Sequence, residues 1–293
     1  MTLLDLAFTL VNGLATGMAV FLVAAGLTLI FGILKILNFA HGAFFMIGAY
    51  VAYTIVGSNP SSIWLFILAA VVAGIVVAVL GFIADRIVLQ RLRNVDEAYM
   101  LIATFAVLMI CSGIVKLIWG VNYASINPPP MLDGAVIIGQ LFIPSYSLFV
   151  IIAGIVVFLI LDFAIHRTWL GKLLQSVAND SWMSGLLGIN VPVALTSTVI
   201  ASFLLAGLAG GLLLANQTLS PILGESFLLL AFMAVIIGGL GNVRGAFIAA
   251  ILLGVIESAS SLLMPNMPGM ATYIFVILFL LAKPQGLLGG QRI

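Results

Sequence analysis

Charge is what this chain most lacks. Of its 293 residues only 6% are Asp, Glu, Lys or Arg, against roughly 25% in an average soluble domain. A water-soluble fold of this length needs far more polar surface, because its outside must be hydrated. The net charge of +1 leaves no basic footprint for nucleic acid. The single cysteine, Cys111, lies in an apolar run, which excludes an intrachain disulfide and makes it a small core-packing residue. His41 and His166 are the two histidines, and neither has a neighbouring set of ligands or a Gly-x-Ser-x-Gly nucleophile. No catalytic residue, metal site or cofactor is therefore expected. Gly-x-x-x-x-Gly-Lys-Ser/Thr is missing too, so the chain cannot itself cradle ATP phosphates. The N-terminus lacks a basic leader and a small-residue cleavage site, and reads as a retained first span.

What is present is apolar length. Hydrophobic residues make up 64% of the chain, in uninterrupted runs such as 147–165 and 191–215. Lipid cannot satisfy backbone N–H and C=O groups, so spanning elements are helices or a closed barrel. Barrel strands alternate apolar and polar residues over about ten positions, and these runs do not alternate. The expected fold is therefore an all-α integral membrane protein. At about 20 residues per span, helices are expected near 6–34, 39–57, 62–84, 98–118, 146–165, 192–215, 225–241, 245–263 and 270–282. That makes nine spans, with eight or ten also compatible.

Basic residues orient the set. With the N-terminus periplasmic and the C-terminus cytoplasmic, Lys35, Arg86, Arg91, Arg93, Arg167, Lys172, Arg244, Lys283 and Arg292 fall inside, and only Lys116 falls at an outer boundary. Tyr53, Trp64, Trp119, Tyr123, Tyr146 and Tyr273 then mark the outer interface, and Tyr99 and Trp169 the inner one.

Two passages interrupt the hydropathy in matching ways. Asn38-Phe39-Ala40-His41-Gly42 links spans one and two, and Gly241-Asn242-Val243-Arg244-Gly245 links spans seven and eight. Each places an Asn and a basic residue just before Gly-Ala-Phe, which suggests a parallel internal repeat offset by about 203 residues. Gly-interrupted segments in corresponding halves point to a translocation pathway; tight turns with close helix packing account for them equally. Asn38, His41, Gly42, Gly241, Asn242 and Gly245 are thus pathway candidates, with His41 also readable as a satisfied polar residue. Glu257, midway along span eight, has no basic partner on its own helix. A carboxylate there faces the protein interior or a cavity, in a pathway or subunit contact, or in structural hydrogen bonding. Asp162 can reach the interface and needs no special role.

The segment 166–190 differs in kind. Leu170, Leu173, Leu174 and Val177 follow helical spacing, and after Asn179-Asp180 the pattern resumes at Trp182, Met183, Leu186 and Leu187 before Gly188. This predicts an amphipathic helix pair, either a docking element for a soluble partner or a helix lying in the interface.

Ordered motifs carry a family resemblance. They are Gly26-Leu27-Thr28-Leu29-Ile30-Phe31-Gly32, Asn38–Gly42 leading to Gly48-Ala49-Tyr50, Gly188-Ile189-Asn190, Gly238–Asn242 with Gly245-Ala246, and Lys283-Pro284-Gln285-Gly286-Leu287. Across essentially its whole length the chain resembles the shorter permease subunit of high-affinity branched-chain amino acid ABC transporters. The resemblance implies one transmembrane domain, 1–293, in the bacterial inner membrane. It implies a second paralogous permease, two cytoplasmic ATPase subunits and a periplasmic amino-acid-binding protein as partners. It also implies that 166–190 couples to an ATPase, with Thr168, Gly171, Lys172, Gln175, Asn179, Asp180, Gly188 and Asn190 as candidate residues. Where the family commonly carries Arg-Ala, this chain has Gln175-Ser176, which removes an expected charge contact. The expected activity is import of leucine, isoleucine, valine or related small amino acids by alternating access. A secondary transporter or channel for a small polar solute is the alternative, disfavoured because Glu257 is nearly the sole ionisable residue within a span.

Overall fold

A computed structural model describes residues 3–93, 95–139, 141–267 and 269–289. The chain forms α1 (Leu3–Leu34), α2 (Ala40–Val56) and α3 (Ile63–Ala84), which runs on through a π turn, Asp85–Leu89, into α4 (Gln90–Leu92). There follow α5 (Glu97–Trp119), a hairpin of β1 (Ala135–Ile138) and β2 (Leu141–Pro144), α6 (Ser145–Arg167), α7 (Trp169–Asn179) and α8 (Ser181–Leu186). The last four helices are α9 (Val191–Leu212), α10 (Leu223–Gly238), α11 (Val243–Leu263) and α12 (Met270–Ala282).

Each of the nine expected spans appears as a helix. Among the described residues, six are long and apolar enough to cross a bilayer, counting α3 through α4 as one. The other three, α2, α10 and α12, have 17, 16 and 13 residues. At a rise of about 1.5 Å per residue they fall short of a ~30 Å hydrocarbon core. Side-chain caps define many helix starts. Ser62 Oγ accepts from Leu65 N–H, Asp96 from Ala98 N–H, Asn190 from Val193 N–H and Asn242 from Gly245 N–H.

In lipid both the inside and the outside of a bundle are apolar, so burial sorts the helices. The most apolar window of α1 is 83% buried, whereas that of α6 is 22% buried. α1 is the central helix, packed by α11, α9, α10 and α6, while α2 and α3 pack on α9. The exposed faces of α3, α5 and α6 present Leu68, Ile75 and Val79, then Ile102, Met109 and Leu117, then Ile152, Leu159 and Phe163. These apolar faces are of the kind a bilayer covers.

Close backbone approach holds the centre together. A Cβ on Gly17 of α1 would lie 2.7 Å from Ala250 O of α11, and one on Gly48 of α2 would lie 2.5 Å from Gly207 Cα of α9. Only residues without a side chain let these helices meet so tightly. Aromatic edges fill the adjoining space: Phe21 on α1 sits 5.1 Å from Phe247 on α11, near perpendicular.

Shared clefts, the Asp162–Arg244 pair and the Leu287–Ile237 bond bring the ends of α1, α4, α6, α10 and α12 together with the starts of α5, α9 and α11. Lys35, Arg86, Arg91, Arg93, Arg167, Lys172, Arg244 and Lys283 consequently lie toward one end, the basic end, and Lys116 toward the far end; Arg292 lies outside the described residues. The far end is tied by Tyr146 Oη, which donates to Leu212 O at 2.6 Å, and by Trp119 Nε1, which donates to Thr54 Oγ1 at 2.9 Å. The hairpin pairs Ala135 with Pro144 and Ile138 with Leu141. It was not anticipated, although two short apolar runs, Ala135–Ile138 and Leu141–Pro144, flank Gly139-Gln140.

Gly48→Ala is expected to destabilise the protein by about 1–3 kcal/mol through overpacking. Gly113→Ala, whose Cβ would meet nothing within 4 Å, should be neutral or mildly stabilising. Thermal aggregation midpoints of the two variants in mild detergent check this; equal midpoints would remove the close-packing argument.

Candidate functional site

Clefts among the described residues include one at the far end and two at the basic end. The far-end cleft, about 600 Å³, lies between α1, α10, α11 and α12. Glu257, Thr272, Tyr273, Glu225, Asn216 and Gln217 supply its polar lining, and Ala19, Val20, Phe227 and Leu230 its apolar wall. Glu257 accepts a hydrogen bond from Thr272 Oγ1 of α12. Its partner thus comes from a neighbouring helix, as its isolation on α11 required, and is a hydroxyl, not a cation. Glu225 stands in the first turn of α10, where the helix dipole favours a carboxylate. The sequence reading did not single out Glu225, because nothing in the sequence shows that it shares a cleft with Glu257.

The two interrupted passages behave alike. Asn38 Oδ1 accepts from Ala40 N–H at 3.0 Å, and Asn242 Oδ1 accepts from Gly245 N–H at 3.0 Å, each at the start of a helix. His41 is fully buried, its Nε2 2.9 Å from Val23 O on α1. Gly42 abuts Gly224 O, and Gly245 abuts Gly238 O. Asn38, His41, Gly42, Asn242 and Gly245 line none of the three clefts, whereas Gly241 lines one at the basic end and Glu257 the far-end one. The tail also joins the second passage. Leu287 N–H donates to Ile237 O at 2.6 Å and Leu288 N–H to Gly238 O at 3.2 Å, so two separate sequence motifs meet in space.

At the basic end α7 and α8 form the expected helix pair, broken at Asn179-Asp180. Thr168 Oγ1 donates to Ala164 O and accepts from Gly171 N–H, which joins α6 to α7. Gly171 is needed because a Cβ there would collide with Ile165 O. Gln175 Nε2 donates to that same carbonyl at 3.0 Å, satisfying a helix-end acceptor that α6 leaves open. Ser176 Oγ and Ser184 Oγ are 2.9 Å apart and tie α7 to α8, while Asp180 Oδ1 accepts from Met183 N–H. Gly188, at φ +87°, closes α8 with bonds from its own N–H to Gly185 O and from Ile189 N–H to Ser184 O. Asn190 caps α9.

Most of these candidates therefore build the elbow; Lys172 and Asn179 are exposed on it. The surface it presents is apolar: Trp182, Met183, Leu186 and Leu187 are all exposed on and just after α8. The helical pattern identified these positions as apolar, but only the fold shows that they point outward.

The comparison with known proteins bears on what such a bundle does. The profile of the family described as "Branched-chain amino acid transport system / permease component" matches residues 9–283. The chain belongs to this family. It is 30% identical to the high-affinity branched-chain amino acid transport system permease protein LivH of Escherichia coli, over 96% of this chain and 95% of that one. The permease protein BraD of Pseudomonas aeruginosa is likewise 30% identical, over 97% and 96%. A probable branched-chain amino acid transport permease, LivH of Methanocaldococcus jannaschii, is 27% identical over 92% and 88%. No solved structure matches. The chain is thus a transport permease and not an enzyme, and a multi-pass protein of the bacterial inner membrane.

In this permease two ion pairs lock the basic end. Asp85, fully buried at the π turn, accepts from Arg93 Nη2 at 2.6 Å and from Thr196 Oγ1 of α9 at 3.0 Å. Asp162 of α6 takes Arg244 of α11 in a two-pronged pair, Nε to Oδ1 at 2.5 Å and Nη2 to Oδ2 at 3.0 Å. Asp162 thus has a partner where the sequence reading required none. Arg93→Met leaves a buried carboxylate uncompensated and should cost about 3–5 kcal/mol. Adding Asp85→Asn should recover most of that loss in a thermal-unfolding cycle; no recovery would mean that Arg93 acts by packing alone.

Proposed function

We propose that this permease forms half of the translocation pathway of an ATP-driven importer for branched-chain amino acids, working by alternating access. The observation that carries this reading is the α7–α8 elbow. It is rigidly tied to α6 and yet presents four exposed apolar side chains, as a surface that docks on a soluble partner would. That partner is one of two ATPase subunits, since this chain has no phosphate-binding loop of its own. In this reading 166–190 is the coupling segment of a single transmembrane domain. Gln175, turned inward onto Ile165 O, leaves no charge there, so the contact is apolar. A second, paralogous permease supplies the other half of the pathway, and a periplasmic binding protein delivers the substrate.

The far-end cleft is the proposed entrance. A branched-chain amino acid combines an ammonium group with an aliphatic side chain. Carboxylates at 225 and 257 suit the ammonium, the amides of Asn216 and Gln217 suit the substrate's own carboxylate, and Val20, Phe227 and Leu230 suit its side chain. The basic end is placed in the cytoplasm by the positive-inside rule, so the cleft opens to the periplasm. The Asn side chains that bond backbone N–H at the starts of α2 and α11, Asn38 to Ala40 and Asn242 to Gly245, support a parallel internal repeat, in which both interrupted passages serve as hinges of the pathway.

Reconstitution of the complete assembly in proteoliposomes tests the reading, with labelled leucine as substrate. Uptake should require ATP and survive a protonophore. Uptake driven by an ion gradient without ATP would favour a secondary transporter instead. Glu257→Gln should reduce uptake roughly tenfold, as loss of one charge-assisted hydrogen bond would, while leaving the assembly intact. Leu186→Ser with Trp182→Ser should abolish uptake and release the ATPase subunit on size exclusion. Full uptake in either variant would contradict the assigned role of that residue.

A further inference from the structure

The large basin at the basic end, about 1180 Å³, is not explained by transport. It lies where the ends of α1, α4 and α7 meet the starts of α5 and α9, and Lys35, Arg86, Arg91 and Arg93 line it. Two of these cations are structurally engaged. Arg93 is paired with Asp85, and Arg86 donates to Gln90 with its guanidinium 5.3 Å over the Phe82 ring. Lys35 and Arg91 are exposed and have no carboxylate partner among the described residues. Lys35 is, moreover, the one described residue other than glycine with a left-handed backbone, at φ +57°. Arg93 also keeps a buried Nε–H without a partner among the described residues. Arg93 is offset by Asp85, and Lys35, Arg86 and Arg91 outnumber the lining carboxylates Glu97 and Asp180 by one, because the partners of Arg86, Gln90 and Phe82, are neutral.

The setting says what kind of anion fits. Val95, which lines the basin, and Ile87 and Tyr99, close to its lining residues Arg86 and Met100 in the chain, are 44%, 58% and 62% exposed. The wall itself is partly apolar, through Ile33, Ile36 and Leu195. A soluble acidic partner has no reason to bury itself beside Ile87 and Tyr99, whereas a molecule with a charged head and an apolar tail matches both surfaces. Basic pockets between helices at a membrane surface recognise anionic lipid heads in this way, each nearby cation adding to the attraction. We propose that the basin holds the phosphate headgroup of an anionic phospholipid, with Lys35 and Arg91 as its free cations and Arg93 Nε–H as an added donor. This does not depend on what the permease carries.

Native mass spectrometry of the full-length chain in mild detergent tests it, with dioleoyl-phosphatidylglycerol titrated against dioleoyl-phosphatidylcholine. The glycerol lipid should bind at least about tenfold more tightly, and added salt should weaken it. Lys35→Gln with Arg91→Gln should cost about thirtyfold, equivalent to about 2 kcal/mol at ~1.4 kcal/mol per tenfold. Lys35→Arg with Arg91→Lys should retain binding, and Arg167→Gln, an exposed cation outside the basin, should change little. Equal binding of the two lipids, or an unaffected double Gln variant, overturns the proposal. So does displacement of the lipid by inorganic phosphate at similar concentration, which would make the basin a simple anion site. So does exclusion of lipid from the basin by a docked ATPase subunit. Should the double Gln variant fail to fold, the wild-type salt dependence decides, and salt-independent binding refutes the proposal.

Discussion

Helices in a bilayer are not pushed together by water. Lipid tails are as apolar as leucine side chains, so association relies on van der Waals contact and on the few polar bonds that helices share. The fold of this permease follows from that constraint. α1 occupies the centre because its neighbours can reach its backbone, most closely where Gly17 meets α11, and α9 grips α2 through Gly207 against Gly48. α5, whose Gly113 meets nothing within 4 Å, leaves a broad apolar face exposed through Ile102, Phe105, Met109 and Leu117.

The same constraint confines polar chemistry to the ends of the bundle and to clefts. Buried polar groups at depth are mostly bound to backbone, as Thr28 is to Ala24 O and Ser202 to Gly26 O. Carboxylates sit where a cation, a hydroxyl or a cleft can serve them. Asp85 and Asp162 hold the basic end rigid through Arg93 and Arg244, and Glu257 faces the far-end cleft. A rigid basic end gives the α7–α8 elbow something to push against, as the proposed coupling role requires.

Much of this was legible before the fold was known. Apolar runs located all nine helices expected as spans, three of them shorter than a bilayer crossing, and Asn179-Asp180 located the break between α7 and α8, because both signals are local. The interrupted passages were located correctly, but their residues do caps and close packing in this conformation. His41 against Val23 O and Gly42 against Gly224 O depend on neighbours distant in sequence. The same limit hid the far-end cleft, in which Glu225 and Glu257 come from different helices. It also hid the contact of Asp85 with Thr196, 111 residues apart. Local patterns give elements; partners across the bundle come only from packing.

The central claim is that the cleft beside Glu257 opens and closes with the state of the ATPase. Ser226 is exposed and lines that cleft, so Ser226→Cys in a Cys111→Ser background reports on it directly. Its labelling by a membrane-impermeant maleimide, added from the periplasmic face of the reconstituted assembly, should be fast in one nucleotide state and slowed at least about tenfold in the other, as two-state access requires. Identical labelling rates with and without a trapped ATP analogue would contradict the account.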